Sequence, residues 1–310
     1  MRVGFIGLGT MGARMATNLM KGGHALVVTD MQRAAAAGLE QAGAQWAATP
    51  AEVAGLVDVV FLSLPGPPQV QSVLLDAQGV LAGMKAGGTV VDFSTNSPGK
   101  IRELHARLAE SGIDFLDAPI SGGPKGAETR KLAVWVGGKR EKFDALRSVF
   151  DAVGDDIQYL GDVGNASVAK LVHNCIGYTF NVAMAEMFTT GVKAGVPPEM
   201  LFKAIRSGGI GRRRSFDQLP AHFLAETYDP PNFSLQLAHK DVTLAAELGR
   251  EMGVPMRMVQ LALEEMTEAK ARGWAGRDSR VAMLLQQERA GVSVKCDPQA
   301  LRDILDDKRA

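Results

Sequence analysis

Residues 2–23 read RVGFIGLGTMGARMATNLMKGG. RVGFIG reads as a strand, and TMGARMATNLMKGG as a helix with its stop. Between them lies G-x-G-x-x-G, as Gly7, Gly9 and Gly12. Alone the pattern is weak. A strand before it and a helix after it supply the context its mechanism requires. Gly7 allows the tight turn, Gly9 lets the backbone approach a pyrophosphate, and Gly12 lets helix and strand pack closely. The helix then offers free N–H groups and its positive dipole end to phosphates. The loop Gly7, Leu8, Gly9, Thr10, Met11 and Gly12 therefore reads as a dinucleotide cradle rather than a plain structural turn.

Working outward, ALVVTD (25–30) is a second strand ending on Asp30, 18 residues beyond Gly12. An acid there hydrogen-bonds the ribose 2′-hydroxyl of NAD and repels the 2′-phosphate of NADP, so the expected cofactor is NAD. Arg33 reads as a solvated helix residue rather than a phosphate clamp. VDVVFLSLP (57–65), GTVVDFST (88–95), IDFLDAP (113–119) and LAVWVGG (132–138) are further strands, with helical stretches such as PGKIRELHARLAESG (98–112) between them. Strands apolar on both faces, alternating with helices, predict an α/β fold: a doubly wound parallel sheet covered by helices on both sides. The character changes after DDIQYLGDVGNAS (155–167), beyond which long helical patterns dominate at 166–194, 197–207, 235–252 and 255–273. We divide the chain into a Rossmann-type dinucleotide domain, 1–163, and an all-helical substrate and oligomerisation domain, 164–310.

Composition narrows the function classes. The 310 residues are 46% hydrophobic and 22% charged, with 34 basic and 34 acidic side chains. A zero net charge gives no reason to expect nucleic acid or a basic membrane anchor as partner. Two cysteines, Cys175 and Cys296, are too few for a disulfide framework. The first strand starts almost at Met1, so no targeting segment is expected, nor is a membrane span; the expected location is the cytoplasm. No His/Cys cluster has metal-ligand spacing, so no metal is expected.

A second stretch raises a different question. GNASVAKLVHNCIGYTFNVAMAEMFTT (164–190) is an apolar helix whose full charges between Ala166 and Thr190 are Lys170 and Glu186. Lys170 either snorkels, with its stem on apolar surface and its ammonium in water, or faces a cleft and moves a proton. Asn174 at i+4 shares its helix face. His173 is expected to point elsewhere, as a packed or partly exposed histidine. Ser121, Gly122 and Gly123 form an SGG stretch: either an ordinary loop or a nest of backbone N–H groups for a carboxylate.

Four ordered motifs carry a resemblance. They are Gly7–Gly12 with Met15 and Asn18-Leu19-Met20-Lys21, DAPISGG (117–123), GNASVAKLVHN (164–174) and KDVTLA (240–245). Over roughly residues 1–290 the chain resembles the β-hydroxyacid dehydrogenase family, which includes 3-hydroxyisobutyrate dehydrogenase and tartronate semialdehyde reductase. The resemblance implies a Rossmann-type domain joined by a long helix to an all-α domain. It implies that Leu64, Pro65 and Thr95 line the cofactor site and that Lys240 reaches the cofactor from the helical domain. It implies hydride transfer between NAD(H) and a small 3-hydroxy acid or its semialdehyde. Lys170 would then be general acid/base, with Asn174 and Ser121, Gly122 and Gly123 holding a carboxylate substrate. Other readings are an oxidative decarboxylase like 6-phosphogluconate dehydrogenase, an imine reductase and a non-catalytic NAD-binding protein. The shorter helical region counts against the first, and Lys170, Ser121 and Asn174 against the others. The Arg212-Arg213-Arg214 run is either a solvated basic turn or a grip on a second anionic group of the substrate. The apolar helices imply a homodimer or homotetramer.

Overall fold

The computed structural model describes residues 1–212 and, beyond them, 222–302 except 232–233, 237, 240–241, 244–245, 247–249, 251–252, 292–294, 296 and 300–301. The chain forms two compact units, Met1–Cys175 and Ile176–Ala310.

The first unit is built on six strands: β1 (Arg2–Ile6), β2 (Ala25–Thr29), β3 (Gln45–Trp46), β4 (Val59–Leu62), β5 (Thr89–Asp92) and β6 (Asp114–Asp117). They pair in the order β3-β2-β1-β4-β5-β6, all parallel. This is the doubly wound order, with its reversal between β1 and β4. The connections carry α1 (Gly12–Lys21), α2 (Ala37–Gln41), α3 (Pro50–Gly55), α4 (Pro67–Leu75), α5 (Val80–Gly83) and α6 (Pro98–Ala109).

The continuous apolar strands follow from burial on both faces. Val59 and Phe61 of β4 enter one core, and Val60 and Leu62 the other. Successive strand residues point to opposite faces, so a strand covered on both sides has no place for polar alternation. In the first core Phe61 stacks on Phe93 at 5.3 Å between ring centroids. Helix α1 buries Gly12, Met15, Ala16 and Leu19 on one stripe at helical spacing.

A second, three-stranded sheet follows: β7 (Ile120–Ser121), β8 (Ala133–Val136) and β9 (Asp156–Tyr159), with α7 (Gly123–Thr129), α8 (Arg140–Ala145) and α9 (Arg147–Val153). Here the sequence expectation needs correcting. LAVWVGG is not a strand of the parallel sheet: β8 pairs antiparallel with β7 and parallel with β9. Its burial alternates, unlike the fully buried β4 and β5. That alternation marks a sheet with one covered face.

Helix α10 (Asn165–Lys193) runs from the first unit into the second. The second unit holds α11 (Pro198–Ser207), α12 (Gly209–Arg212), α13 (Arg257–Ala271) and α14 (Leu284–Ala290). Tyr228, Leu235, Ala269, Val281 and Leu285 make a small core there. Among its described residues there is no strand, which gives the α/β fold its helical C-terminal part. Among the described residues no helix is long and apolar enough to cross a membrane, and no cluster of His, Cys, Asp and Glu could hold a metal ion.

Candidate active site

The glycine loop links β1 to α1 at the carboxyl edge of the sheet. Gly7 sits at φ +95°, and a Cβ there would lie 2.3 Å from the Ser63 carbonyl. At Gly12 a Cβ would lie 1.9 Å from the Gly7 carbonyl, so α1 packs against the turn only without a side chain. Gly9 opens onto free space, and both it and Thr10 are exposed. The first turn of α1 holds no acid and no side-chain cap. Its amide end is thus left for an anionic group, as a bound pyrophosphate requires.

Asp30 follows β2 beside this loop. Its Oδ2 accepts from Leu8 N at 2.6 Å and its Oδ1 from Gln32 N at 2.7 Å. Arg33, three residues on, is occupied: its guanidinium pairs with both Glu40 carboxylate oxygens and lies 4.3 Å over the Trp46 ring. The glycine loop, the uncapped helix end and Asp30 fit a nicotinamide adenine dinucleotide, with no free cation supplied by Arg33.

A cavity of about 320 Å³ opens at the same edge of the sheet. Met11, Leu64, Pro65 and Thr95 line one part, and Ser121, Gly122, Gly123, Lys170, His173 and Asn174 another. Residues of three of the four motifs, with Leu64, Pro65 and Thr95, therefore meet in one concavity of the first unit. A larger hollow of about 430 Å³ lies between Arg2, Gly55, Asp58 and Lys85. It sits at the amino ends of β1 and β4, the wrong edge for a ligand in an open α/β sheet. Lys240, Arg213 and Arg214 lie outside the described residues; Arg212 ends α12, in the second unit.

Lys170 is half-buried, and among the described residues no carboxylate pairs with its ammonium. Desolvation holds its pKa below the usual lysine value. Gly122 and Gly123 both have positive φ, +133° and +64°, a backbone conformation that favours glycine. The expectation that His173 points away from the site is overturned. It lines the cavity, with Nε2 3.5 Å from Ser121 Oγ and Nδ1 3.1 Å from Asn174 Oδ1. Position i+3 shares the face of Lys170 as i+4 does, so this signal was in the spacing.

Two buried aspartates beneath the cavity were not singled out from sequence. Asp117 ends β6 and accepts three hydrogen bonds from the start of α10: Gly164 N at 2.7 Å, Ser167 N at 2.7 Å and Ser167 Oγ at 2.8 Å. Asp92 ends the neighbouring strand β5 and accepts from Ser94 N and Asn96 Nδ2. Ser94 Oγ in turn accepts from Leu64 N at 2.9 Å, fixing the cavity wall. Burial pushes the Asp92 carboxyl up to about 6; bonds from Ser94 and Asn96 oppose that rise, and the Asp117 charge adds to it.

The Asp92 shift has a measurable sign. Between its unfolded value near 3.8 and about 6, the native carboxyl holds a proton that the unfolded chain releases. Asp92 therefore lowers stability as pH rises through that window. Unfolding of the wild type and of Asp92→Asn in urea at pH 4, 5 and 7 should show the difference between them changing with pH. A difference that stays constant would show that Asp92 does not titrate there.

Comparison with known proteins gives the family. The family model described as the NAD binding domain of 6-phosphogluconate dehydrogenase matches residues 2–161. That described as "NAD-binding of NADP-dependent 3-hydroxyisobutyrate dehydrogenase" matches residues 164–285. The chain is 35% identical to 2-(hydroxymethyl)glutarate dehydrogenase of Eubacterium barkeri, over 94% of this chain and 97% of that protein. The chain belongs to the β-hydroxyacid dehydrogenase family. It is a hydroxyacid dehydrogenase that uses a nicotinamide adenine dinucleotide as its cofactor. It is also 35% identical to NAD-dependent L-serine dehydrogenase of Pseudomonas aeruginosa, over 92% of this chain and 97% of that one. Among solved structures, 3-hydroxyisobutyrate dehydrogenase of Mycobacterium tuberculosis with L-serine superposes with a TM-score of 0.64 at 30% identity, covering 92% of this chain and 98% of that chain.

Proposed function

We propose that this dehydrogenase moves a hydride between NAD(H) and a small 3-hydroxy acid, giving the semialdehyde or running in reverse, with Lys170 as general acid/base. One observation carries the reading: Lys170, Asn174 and the Ser121–Gly123 stretch share a cavity with Leu64, Pro65 and Thr95 at the carboxyl edge of the sheet. When bound, the dinucleotide supplies a hydride acceptor. The chain's own residues handle the proton and the position of the substrate. A neutral Lys170 amine takes the hydroxyl proton as the C–H bond breaks, and the resulting ammonium returns it to the carbonyl oxygen in reduction. Desolvation favours the neutral amine and so suits it to the first task. The Asn174 amide holds the reacting oxygen. The Ser121–Gly123 stretch holds the substrate carboxylate through the amides of Gly122 and Gly123.

The relatives' names supply a panel for the test: 3-hydroxyisobutyrate, L-serine and 2-(hydroxymethyl)glutarate. Turnover of at least one with NAD is expected. Failure of all three, and of their oxidised products with NADH, would sink the reading.

NAD is the cofactor of choice because Asp30, beside the glycine loop, would accept from a ribose 2′-hydroxyl, and Arg33 is tied to Glu40. A 2′-phosphate would meet the carboxylate without a free guanidinium. In measurements of kcat/KM with one substrate, NAD(H) should exceed NADP(H), and Asp30→Ala should shrink the ratio. Equal efficiency for both cofactors in the wild type would show that Asp30 does not govern the choice.

We place the enzyme in the cytoplasm and assign it a homodimer or homotetramer. Val168, Leu171 and Val172, at i, i+3 and i+4 on α10, leave an exposed apolar stripe that supports association.

A further inference from the structure

We infer that His173 is a positioning residue that sets which way the hydrogen bonds of Ser121 and Asn174 run; the inference rests on the proposed roles of Lys170 and Asn174. Three contacts carry it. The Asn174 Oδ1 lies 3.1 Å from His173 Nδ1. The Ser121 Oγ lies 3.5 Å from His173 Nε2. The Trp135 ring, on β8, lies 5.3 Å from the imidazole at 57° and limits its rotation.

These contacts make a chain with one consistent direction. An amide oxygen only accepts, so the nitrogen facing Asn174 carries the imidazole proton. In the neutral ring the other nitrogen is then an acceptor, and the Ser121 hydroxyl is its donor. Two consequences reach the cavity. With its oxygen engaged, Asn174 keeps its NH₂ group for the substrate oxygen, as a donor to the developing alkoxide in oxidation and to the carbonyl in reduction. With its hydrogen engaged, the Ser121 hydroxyl has none left for the substrate carboxylate, and the Gly122 and Gly123 amides make that contact. Without His173 both side chains are free to rotate, and the donor at the reacting oxygen is no longer pre-aligned. His173 thus acts through its neighbours and exchanges no proton with the substrate.

The ring's packing and its nitrogens can be tested separately. Phenylalanine at 173 keeps an aromatic ring against Trp135 and loses both nitrogens. Glutamine loses the ring but keeps a donor and an acceptor. We expect His173→Phe to lower kcat roughly tenfold with the KM for NADH unchanged, and His173→Gln to stay within about threefold of the wild type. The effects should also be coupled: in an Asn174→Ala background, His173→Phe should cost less than about twofold more. The assays use the full chain and the panel substrate that turns over best. If His173→Phe is as active as His173→Gln, or more so, the ring packs and does not orient. If the His173 and Asn174 losses multiply, His173 acts on substrate directly. Either result overturns the inference and leaves the Lys170 reading standing. Full activity in Asn174→Ala would instead overturn the role given to Asn174, whatever His173 does.

Discussion

Lys170→Ala should lower kcat by ~10²–10⁴, the usual contribution of a positioned general acid/base, while NADH binding and thermal stability stay near wild type. Lys170→Arg decides between the two readings of this lysine. If Lys170 merely snorkels, an arginine stem and charge serve as well, and activity survives. If it moves a proton, arginine fails as alanine does, because a guanidinium stays protonated across the working pH range. The wild-type pH profile has a required sign. Oxidation needs the neutral amine, so its kcat/KM should rise with pH to a plateau; reduction needs the ammonium and should fall. The inflection should lie below the ordinary lysine pKa of 10.5, because burial disfavours the charged form. Near wild-type kcat in a folded Lys170→Arg protein would falsify the assignment.

How much of this was legible in the sequence depends on the range of the signal. The glycine loop, Asp30 and the buried strands are local: each states its requirement within a few residues, as Gly12 does by packing so close to the loop that a Cβ would lie 1.9 Å from the Gly7 carbonyl. The meeting of Ser121 with Lys170 spans 49 positions and became legible through ordered family motifs rather than through spacing. His173 was expected to point elsewhere, packed or partly exposed, although i+3 lies on the same helix face as i+4; nothing local named Ser121 and Trp135 as its neighbours. The second sheet was hidden for a related reason. LAVWV reads like any buried strand, and only its pairing with β7 and β9 separates it from the parallel sheet. Asp92 and Asp117 stood at strand ends, Asp117 inside the DAPISGG motif, and neither was given a role of its own. Burial and hydrogen-bond partners up to 50 positions away give them their roles.

Asp117→Ala should be the most damaging substitution beneath the site for stability. The carboxylate is 1% exposed and satisfies three donors at the start of α10. Removing it leaves two backbone amides and one hydroxyl without an acceptor in a buried place, at about 1–3 kcal/mol each before relaxation. A loss of about 3 kcal/mol or more corresponds to roughly 6–12 °C in Tm for a unit of this size. Catalysis should suffer too, because Ser167 and Lys170 are one helical turn apart on α10 and the clamp sets where that turn begins. A shift of about 1 Å at a reacting group can cost ~10²-fold in rate. Assays well below the melting transition separate this from unfolding. Ser167→Ala is the matched control: it removes the hydroxyl but leaves both backbone amides bonded to Asp117, so about 1 kcal/mol should be lost and kcat largely kept. Asp117→Asn should fall between the two, since its NH₂ group must face one of the donors. If Asp117→Ala melts with the wild type and turns over at its rate, the first turn of α10 is held by something other than this carboxylate, and Lys170 owes its place in the cavity to contacts elsewhere along the helix.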